Sequence, residues 1–437
     1  MEFVANSLEE HWMPFTPNRE FKEEPRLVAE SKGIYLTDHK GGTVLDGSSG
    51  LFCVPAGHGR REIADAVHEQ LIKNDYTAPF QMGHPGSFQL AKMVSAITPE
   101  PINHVFFTNS GSEAVDTALK ICMAYHGACG DHRRQRFVSR ERAYHGVNMG
   151  GVSLSGMVKN RDIFPVCMPY IVNMRHTWRE KDRFNRGQPE NGEELANDLQ
   201  RFCDTYGGHT IAAVFVEPVA GSTGCLVPPK GYLDRLREIC DQNGILLVFD
   251  EVITGFGRLG TPFAADAFGV TPDIMTMAKA LTNGCQPMGA VAVKDEIYDT
   301  VVDGAPDGAI EFFHGYTYSG HPAACAAGMA AQKIYRDENL FGRTKELIDH
   351  FQNAAYALED MDIITDIRGY GLMAAFDVKP GAVAGALGPQ IQKRLFWNGL
   401  HVKFTGDAGI LAPQFIATRD NIDEMMDILR RTLTEFS

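Results

Sequence analysis

Two adjacent carboxylates end a run of apolar residues in the stretch ILLVFDEVITGFGRLG, residues 245–260. The run before Asp250 is typical of a buried strand, where a lone charge is costly unless it has hydrogen bonds or a positive partner. A structural salt bridge or a helix cap would meet this need of Asp250. The cation of a bound ligand would also meet it, and a protonated pyridine nitrogen is such a cation.

A lysine at position 279 stands within the mostly apolar stretch DIMTMAKALTNG, residues 273–284. A surface lysine is not expected in such surroundings. A lysine in an apolar environment can keep its amine neutral and condense with an aldehyde to give a Schiff base. Lys279 is therefore a candidate nucleophile.

The small residues of TNSGSEA, residues 108–114, come where a predicted strand passes into a predicted helix. The backbone N–H groups of Ser110, Gly111 and Ser112 could hold a phosphate at the helix N-terminus. An ordinary helix cap by Ser112 explains the same residues equally well. A phosphate-binding turn, an aspartate for a pyridinium and a Schiff-base lysine are together what pyridoxal phosphate requires of a protein.

Three glycines, Gly255, Gly257 and Gly260, match the spacing of the dinucleotide-binding fingerprint, which would indicate an NAD-dependent oxidoreductase. The carboxylates that precede them would repel a pyrophosphate, and no long apolar helix opens directly after Gly260. We therefore expect the glycines to form a tight, closely packed turn that leads the chain away from the carboxylates.

The elements that must position these residues alternate between strands and helices. Apolar runs predict strands at 104–109, 210–218 and 245–250, and helical periodicity predicts helices at 113–125 and 231–243. This alternation indicates an α/β fold in which helices cover both faces of a parallel sheet. Ligands of such sheets bind beyond the carboxyl ends of the strands, so the residues after the three strands should converge on one crevice.

Changes in the pattern of predicted strands and helices divide the chain into three regions. Residues 56–325 carry the alternating pattern and form the predicted large domain. Residues 326–437 combine helical segments with two strand-like stretches and form a predicted smaller α+β domain. Residues 1–55 show no helix of their own and are expected to pack on that smaller domain.

Composition excludes several classes of function. The formal net charge of −14 argues against a nucleic-acid-binding surface, which needs a basic face. The nine cysteines show no C-x-x-C spacing, so neither a disulfide framework nor a zinc site is expected, and no metal site is predicted. Neither a secretory signal nor an apolar run of membrane-spanning length is found, and a cytoplasmic location is expected.

Taken together, the motifs resemble those of the class III aminotransferases, enzymes of the pyridoxal phosphate fold type I. The resemblance covers nearly the whole chain and is greatest to the omega-amino acid:pyruvate (beta-alanine:pyruvate) transaminases. It is carried by HWMPFTPNREFK, FFTNSGSEAVDTALK, AYHG, VEPVAGSTG, FDEVITGFGR, MAKALTNG and HGYTYSGHP. It implies a large domain with a mostly parallel seven-stranded sheet between helices, and a smaller α+β domain built from both termini.

The resemblance also implies roles around the cofactor ring. Lys279 would form the internal aldimine and later move the proton in the 1,3-shift, while Asp250 would keep the pyridine nitrogen protonated. Tyr144 would stack on one ring face, Val252 would press on the other, and His145 would lie close by. Without the resemblance, Tyr144 would be interpreted as core packing.

Further implied roles concern the phosphate and the subunit interface. Ser110, Gly111 and Ser112 would hold the phosphate, and Thr317 would reach the phosphate of the neighbouring subunit's cofactor. The active unit would then be a homodimer or a tetramer with active sites at the dimer interface. From the residues alone, Thr317 would be an ordinary strand threonine.

Substrate recognition involves one departure from the family pattern. Lys403 stands where related enzymes carry an arginine that binds the substrate carboxylate, and Glu217 resembles the residue that pairs with that arginine. We predict a contact between Glu217 and Lys403 in the resting state; the alternative is that Lys403 simply faces solvent. Phe52 and Phe80 align with aromatic pocket positions and would form an apolar wall that admits arylalkyl amines, although both could be core residues.

The resulting expectation is a pyridoxal phosphate-dependent transaminase with ping-pong kinetics. An omega-amino acid or primary amine would give its nitrogen to the cofactor, and pyruvate would take it and leave as alanine. A decarboxylase or aminomutase of the same fold is the first alternative, and the NAD-dependent oxidoreductase is the second. A non-catalytic binding protein would leave Lys279 unexplained.

Overall fold

The structure, a computed structural model, describes residues 8–164 and 168–436. The α-helices of these residues, numbered in chain order, are α1 Asn18–Glu23, α2 Ser49–Phe52, α3 Arg61–Lys73, α4 Pro85–Ser95, α5 Gly111–Ala128, α6 Met149–Leu154, α7 Val158–Arg161, α8 Glu193–Tyr206, α9 Tyr232–Asn243, α10 Ala264–Phe268, α11 Asp295–Asp303, α12 Pro322–Asp337, α13 Leu340–Tyr356, α14 Leu387–Trp397 and α15 Arg419–Thr434. The β-strands are β1 Val28–Lys32, β2 Tyr35–Asp38, β3 Thr43–Asp46, β4 Ile102–Thr108, β5 Arg136–Arg140, β6 Ile171–Met174, β7 Ile211–Val216, β8 Leu246–Asp250, β9 Ile274–Met277, β10 Gly289–Lys294, β11 Ile364–Tyr370, β12 Met373–Val378, β13 Leu400–His401, β14 Lys403–Thr405 and β15 Ala408–Leu411.

The largest sheet has seven strands in the order β4-β10-β9-β8-β7-β5-β6. Strand β10 runs antiparallel to both of its neighbours, and the remaining pairs are parallel. The expectation of a mostly parallel seven-stranded sheet is thereby confirmed. The strands predicted from apolar runs are β4, β7 and β8, and the predicted helices are α5 and α9.

The apolar sequences of β7 and β8 follow from their place in the middle of this sheet. Every residue of both strands is buried. Val216 and Phe249 belong to one hydrophobic cluster, and their neighbours Phe215 and Val248 belong to another. Since successive side chains of a strand point to opposite faces, the two clusters are the two helix-covered faces of the sheet.

Two four-stranded sheets complete the fold, in the orders β1-β2-β3-β13 and β11-β12-β15-β14. In the first, Leu45 of β3 pairs in parallel with Leu400 of β13, so the N-terminal strands and the C-terminal region share a sheet. We propose the division into residues 1–55, 56–325 and 326–437 on this basis.

One expectation for the N-terminal region is wrong, because α1 and α2 both lie before residue 55. Helix α1 has six residues and buries only Phe21, so its sequence has no apolar period to detect. Helix α2 is a single turn whose Gly50 and Leu51 have non-helical dihedral angles. Elements this short leave too little pattern for a prediction from sequence.

In the described part of the chain, no helix is long and apolar enough to cross a membrane. The same residues contain no group of three or more His, Cys, Asp or Glu side chains placed to hold a metal ion.

Candidate active site

A cavity of about 120 Å³ lies beyond the carboxyl ends of β7, β8 and β9 and beside the N-terminus of α5. The structure thus brings most of the predicted site residues together at the edge where parallel sheets bind ligands. The cavity is lined by Gly111, Ser112, Tyr144, His145, Gly146, Glu217, Asp250, Val252, Ile253, Ala278 and Lys279. It is smaller than three other clefts of the described residues, but Asp250 and Lys279 both line it and neither lines those clefts.

Asp250 ends β8 and is nearly buried. Its Oδ2 lies 2.8 Å from Nδ1 of His145, and its Oδ1 accepts a hydrogen bond of 3.2 Å from the backbone N–H of Val252. His145 is buried too, and its Nε2 has no hydrogen-bond partner among the described residues. The imidazole therefore holds the carboxylate in one orientation at the cavity wall.

Lys279 follows β9 and is half-buried at the cavity. Its φ of 50° lies in the left-handed region, which is uncommon for a residue other than glycine, asparagine or aspartate and points to a functional constraint. No hydrogen bond or ion pair of its Nζ is found among the described residues. The cavity is thus lined by the amine of Lys279, which has no partner among the described residues, and by the oriented carboxylate of Asp250.

Glu217 follows β7 and is 4% exposed. Its Oε1 accepts a hydrogen bond of 3.0 Å from the backbone N–H of Tyr144, which fixes the AYHG loop against β7. Burial raises the pKa of Glu217 to about 7, because the charged form loses its hydration. The carboxylate therefore changes its ionisation near neutral pH.

The start of α5 forms one wall of the cavity, and the chain packs closely on two glycines there, Gly111 and Gly146. A Cβ on Gly111 would lie 3.1 Å and 3.2 Å from the two methyl carbons of Val252. A Cβ on Gly146 would lie 2.7 Å from the Cα of Ser112. The two glycines let the helix start, the AYHG loop and Val252 approach each other closely.

The expected alternative, an ordinary helix cap by Ser112, is wrong in detail because Ser110 is the capping residue. The Oγ of Ser110 accepts a hydrogen bond of 3.2 Å from the backbone N–H of Glu113. The Oγ of Ser112 accepts one of 3.1 Å from the backbone N–H of Val147. The first N–H groups of an α-helix have no intrahelical acceptor, so those of Gly111 and Ser112 are available to an anion in the cavity.

The surroundings of Glu251 explain why two carboxylates are adjacent at the end of β8. It is fully buried on the side away from the cavity, where its carboxylate accepts hydrogen bonds of 3.0 Å and 2.9 Å from the backbone N–H groups of Ala264 and Ala265. Thr254 donates a further hydrogen bond to it. The carboxylate of Glu251 occupies the N-terminus of α10, which is where a pyrophosphate would lie in a dinucleotide-binding protein.

The glycines after Glu251 make the turn that the sequence predicts. Gly257 and Gly260 have φ values of 104° and 84°, and the N–H of Gly255 donates to the carbonyl of Glu251 over 2.8 Å. The side chain of Phe341 packs so closely on this turn that a Cβ on Gly257 would lie 2.3 Å from its Cδ1. The glycine spacing therefore serves packing, and the oxidoreductase alternative loses its only support.

The predicted contact between Glu217 and Lys403 is not formed. Oε1 of Glu217 instead accepts the hydrogen bond from the N–H of Tyr144, and no ion pair of Glu217 is found among the described residues. Lys403 lies half-buried in β14, opposite Ile410, and its backbone N–H donates to Oγ of Ser48. Burial lowers the pKa of Lys403.

Four other predicted residues lie outside the cavity lining, namely Ser110, which caps α5, and Phe52, Phe80 and Thr317. Phe52 is 4% exposed and belongs to one hydrophobic cluster with Val219, Ile253 and Ile410, of which Ile253 lines the cavity. Phe80 is 57% exposed. Thr317 lies on an exposed turn, where its carbonyl accepts a hydrogen bond of 3.0 Å from the hydroxyl of Tyr76.

Arg140, at the end of β5, is a buried neighbour of the site that the sequence interpretation missed. Its Nη2 donates to the carbonyl of Glu217 over 3.0 Å, and its Nε and Nη1 have no hydrogen-bond partner among the described residues. The signal that identified Asp250 was also present here, since RFVSR is a short strand that ends on a charge. This hydrogen bond from Arg140 holds the backbone of Glu217 in position.

These residues fit pyridoxal phosphate on the geometry of this structure. The oriented carboxylate of Asp250 suits a pyridinium, the amine of Lys279 suits an aldehyde, and the start of α5 suits a phosphate. Val252 and Tyr144 line the same space and could contact the two faces of a flat ring.

Comparison with known proteins agrees with this geometry. The model of the family "Aminotransferase class-III" matches residues 17–433. The chain is 49% identical to an omega-aminotransferase of Caulobacter vibrioides over 99% of both chains, and 46% identical to a beta-alanine–pyruvate aminotransferase of Pseudomonas aeruginosa over 98% of this chain and 96% of the relative. The crystal structure of an omega transaminase from Pseudomonas jessenii in complex with PMP superposes with a TM-score of 0.92, at 29% identity and 98% coverage of each chain. The protein therefore belongs to the class III aminotransferases, and it is a pyridoxal phosphate-dependent aminotransferase of fold type I.

Proposed function

We propose that the protein moves an amino group from an omega-amino acid or a primary amine to pyruvate, giving alanine by a ping-pong mechanism. The observation that carries this proposal is the meeting of Lys279 and Asp250 in one cavity at the sheet edge. The choice of substrates is supported by the names of the relatives at 46–49% identity. These include an omega-amino acid–pyruvate aminotransferase of Pseudomonas putida.

Each wall of the cavity has a proposed task in holding the cofactor. Lys279 binds its aldehyde carbon, and the carboxylate of Asp250 accepts a hydrogen bond from the protonated ring nitrogen. Ser110, Gly111 and Ser112 bind the phosphate at the start of α5. When bound, pyridoxal phosphate supplies an electron sink for the bond that breaks at the donor's amine-bearing carbon.

The protein supplies proton transfer and orientation. No hydrogen-bond partner of the Lys279 Nζ is found among the described residues, so this amine would be available to take the proton that leaves the donor's amine-bearing carbon. His145 holds Asp250 through the 2.8 Å hydrogen bond, which keeps the carboxylate directed at the ring nitrogen. Val252 and Tyr144 contact the ring faces and exclude water from them.

We further propose that the active unit is a homodimer or a tetramer. Thr317, whose proposed partner is the phosphate in the other subunit, lies on an exposed turn beside exposed aromatic residues, among them Phe313 and Tyr318. Exposed apolar side chains grouped in this way are typical of an interface. An active enzyme that sediments as a monomer would contradict this part of the proposal.

Substrate selection is assigned to the remaining predicted residues. Lys403 would bind the carboxylate of the acceptor, and Phe52 and Phe80 would form an apolar wall for the donor's side chain. Turnover of an arylalkyl amine such as 1-phenylethylamine tests the wall. A decarboxylase or an aminomutase would release no alanine, whereas the proposed transaminase forms one alanine for each donor consumed.

The test is the visible spectrum of the purified protein as beta-alanine and then pyruvate are added. We expect a yellow band that bleaches with the amine and returns with pyruvate. Lys279→Ala should lose this response, and the surface variant Lys379→Ala should keep it, because Lys379 is exposed and no bond of its side chain is found among the described residues. A colourless protein that does not respond to added pyridoxal phosphate would refute the roles of Lys279 and Asp250.

A further inference from the structure

The turn that carries Lys279 has an unusual backbone conformation. Lys279–Thr282 form a single 3₁₀ turn shortly after β9, and Lys279 has a φ of 50°. A lysine stays in the left-handed region only where its surroundings enforce that conformation. Because the backbone dihedral angles fix the direction in which a side chain leaves the chain, the contacts that hold this turn also set the position of the Lys279 amine at the cavity.

Asn283 holds the turn from one side. It is 4% exposed and ends the turn with a φ of 52°, and its backbone N–H donates to the carbonyl of Ala280 over 3.2 Å. Both ends of its side-chain amide are bonded. Oδ1 accepts a hydrogen bond of 2.9 Å from the N–H of Ala56, and Nδ2 donates one of 3.0 Å to the carbonyl of Gly57. The buried amide therefore fixes the turn to the segment that precedes α3.

Helix α12 holds the same turn from the other side. Tyr335 of α12 is 2% exposed, and its hydroxyl donates to the carbonyl of Ala280 over 2.6 Å. The contacts of Asn283 and Tyr335 thus meet at the residue that follows Lys279. Neither Asn283 nor Tyr335 lines the cavity, so an effect of either residue on a bound cofactor must pass through the turn.

We propose that Asn283 and Tyr335 are positioning residues for Lys279, which hold the turn in the conformation that directs the amine to the aldehyde of pyridoxal phosphate. This inference rests on the proposed role of Lys279. It follows that loss of either contact weakens binding of the cofactor form that reacts with the lysine. Binding of a form that does not react with the lysine should be spared.

The test compares two forms of the cofactor on protein that has been freed of its own. Pyridoxal phosphate carries the aldehyde that the Lys279 amine can capture, whereas pyridoxamine phosphate carries an amine and binds without a covalent bond. The quantity measured is the ratio of the Kd of pyridoxamine phosphate to that of pyridoxal phosphate, from equilibrium dialysis. A substitution that only loosens the cavity raises both constants and leaves this ratio unchanged.

Asn283→Gly is the first variant. Glycine adopts a φ of 52° without strain, so the variant loses the two side-chain hydrogen bonds and not the preferred backbone conformation. We expect the ratio to fall by about 10- to 100-fold, because a misplacement of about 1 Å costs about 100-fold in a reaction that depends on orientation. Asn339→Gly is the matched control, since Asn339 is exposed, has a φ of 49°, and makes no side-chain hydrogen bond among the described residues. It should keep the wild-type ratio.

Tyr335→Phe is the second variant, and it decides the question even if Asn283→Gly does not fold. It keeps the ring and removes only the hydroxyl that reaches Ala280, and the ratio should again fall. Its control is Tyr356→Phe, because Tyr356 is also 2% exposed, donates its hydroxyl to the carbonyl of Asn185, and does not line the cavity.

The outcomes separate this inference from the proposed function. A wild-type ratio in the folded variants at positions 283 and 335 would overturn the inference and leave the role of Lys279 intact. A fall of equal size in the two controls would overturn it as well. If the wild-type protein bound both forms of the cofactor equally well, the proposed role of Lys279 would fail, and the inference would fail with it.

Discussion

Replacement of Gly257 by alanine tests whether the glycines after the two carboxylates serve packing. Gly257 has a φ of 104°, which side chains rarely tolerate. Its added Cβ would lie 2.3 Å and 2.6 Å from Cδ1 and Cε1 of Phe341, and 2.9 Å from Cε2 of Phe415. The N–H of Gly257 also donates to the carbonyl of Pro262 over 3.2 Å, so the turn cannot open without losing that bond.

Two costs add in this variant. The left-handed backbone conformation costs about 1–2 kcal/mol for an alanine. Overpacking against two phenylalanine rings costs about 1–3 kcal/mol more. The expected loss in the free energy of unfolding is thus about 2–5 kcal/mol.

Gly269→Ala is the matched control. Gly269 also has a positive φ, 67°, but an added Cβ there would meet no atom within 4 Å. It should therefore show only the conformational cost of about 1–2 kcal/mol. The difference between the two variants isolates the packing contribution.

The assay is the urea midpoint of unfolding for each variant, with the cofactor bound and removed. We expect the midpoint of Gly257→Ala to lie well below that of Gly269→Ala in both forms. Equal midpoints would refute the packing argument. A Gly257→Ala variant as stable as the wild type that had lost affinity for a nicotinamide dinucleotide would restore the fingerprint interpretation.

Two further predictions concern the proposed cofactor and acceptor contacts. Asp250→Asn should weaken retention of pyridoxal phosphate by about 10- to 100-fold, because the charge-assisted hydrogen bond to the ring nitrogen becomes a neutral one. Dialysis followed by a cofactor assay measures this retention. Retention equal to that of the wild type would exclude a role for Asp250 in binding the ring nitrogen. Lys403→Ala should raise KM for pyruvate by about 10-fold or more while changing KM for an uncharged amine little; equal changes in both constants would exclude a carboxylate-binding role for Lys403.

The sequence identified the parts of the site that depend on strand topology. A run such as LLVFD is buried on both faces only in the middle of a parallel sheet, and such a sheet collects its functional residues at the carboxyl ends of its strands. Glu217 and Asp250, together with the turn after β4, could therefore be placed in one crevice from the sequence alone, whereas Lys279 was predicted from its apolar surroundings. The structure confirms that crevice as the cavity at the ends of β7, β8 and β9.

Contacts made by the backbone could not be predicted in the same way. Glu217 is bonded to the N–H of Tyr144, and every residue other than proline offers such a donor, so the side-chain sequence does not reveal this choice. The expected contact with Lys403 failed for this reason. The bond between His145 and Asp250 joins residues 105 positions apart, and only the family resemblance implied that His145 lies near the ring.

The two adjacent carboxylates show how one strand end can serve two purposes. Successive residues of a strand point in opposite directions, so Asp250 reaches the cavity while Glu251 turns to the N-terminus of α10. Glu251 fixes both ends of the loop that carries Val252, and Val252 in turn lies against Gly111 at the start of α5. Glu251, which does not line the cavity, thus fixes the position of residues that are proposed to contact the ring and the phosphate.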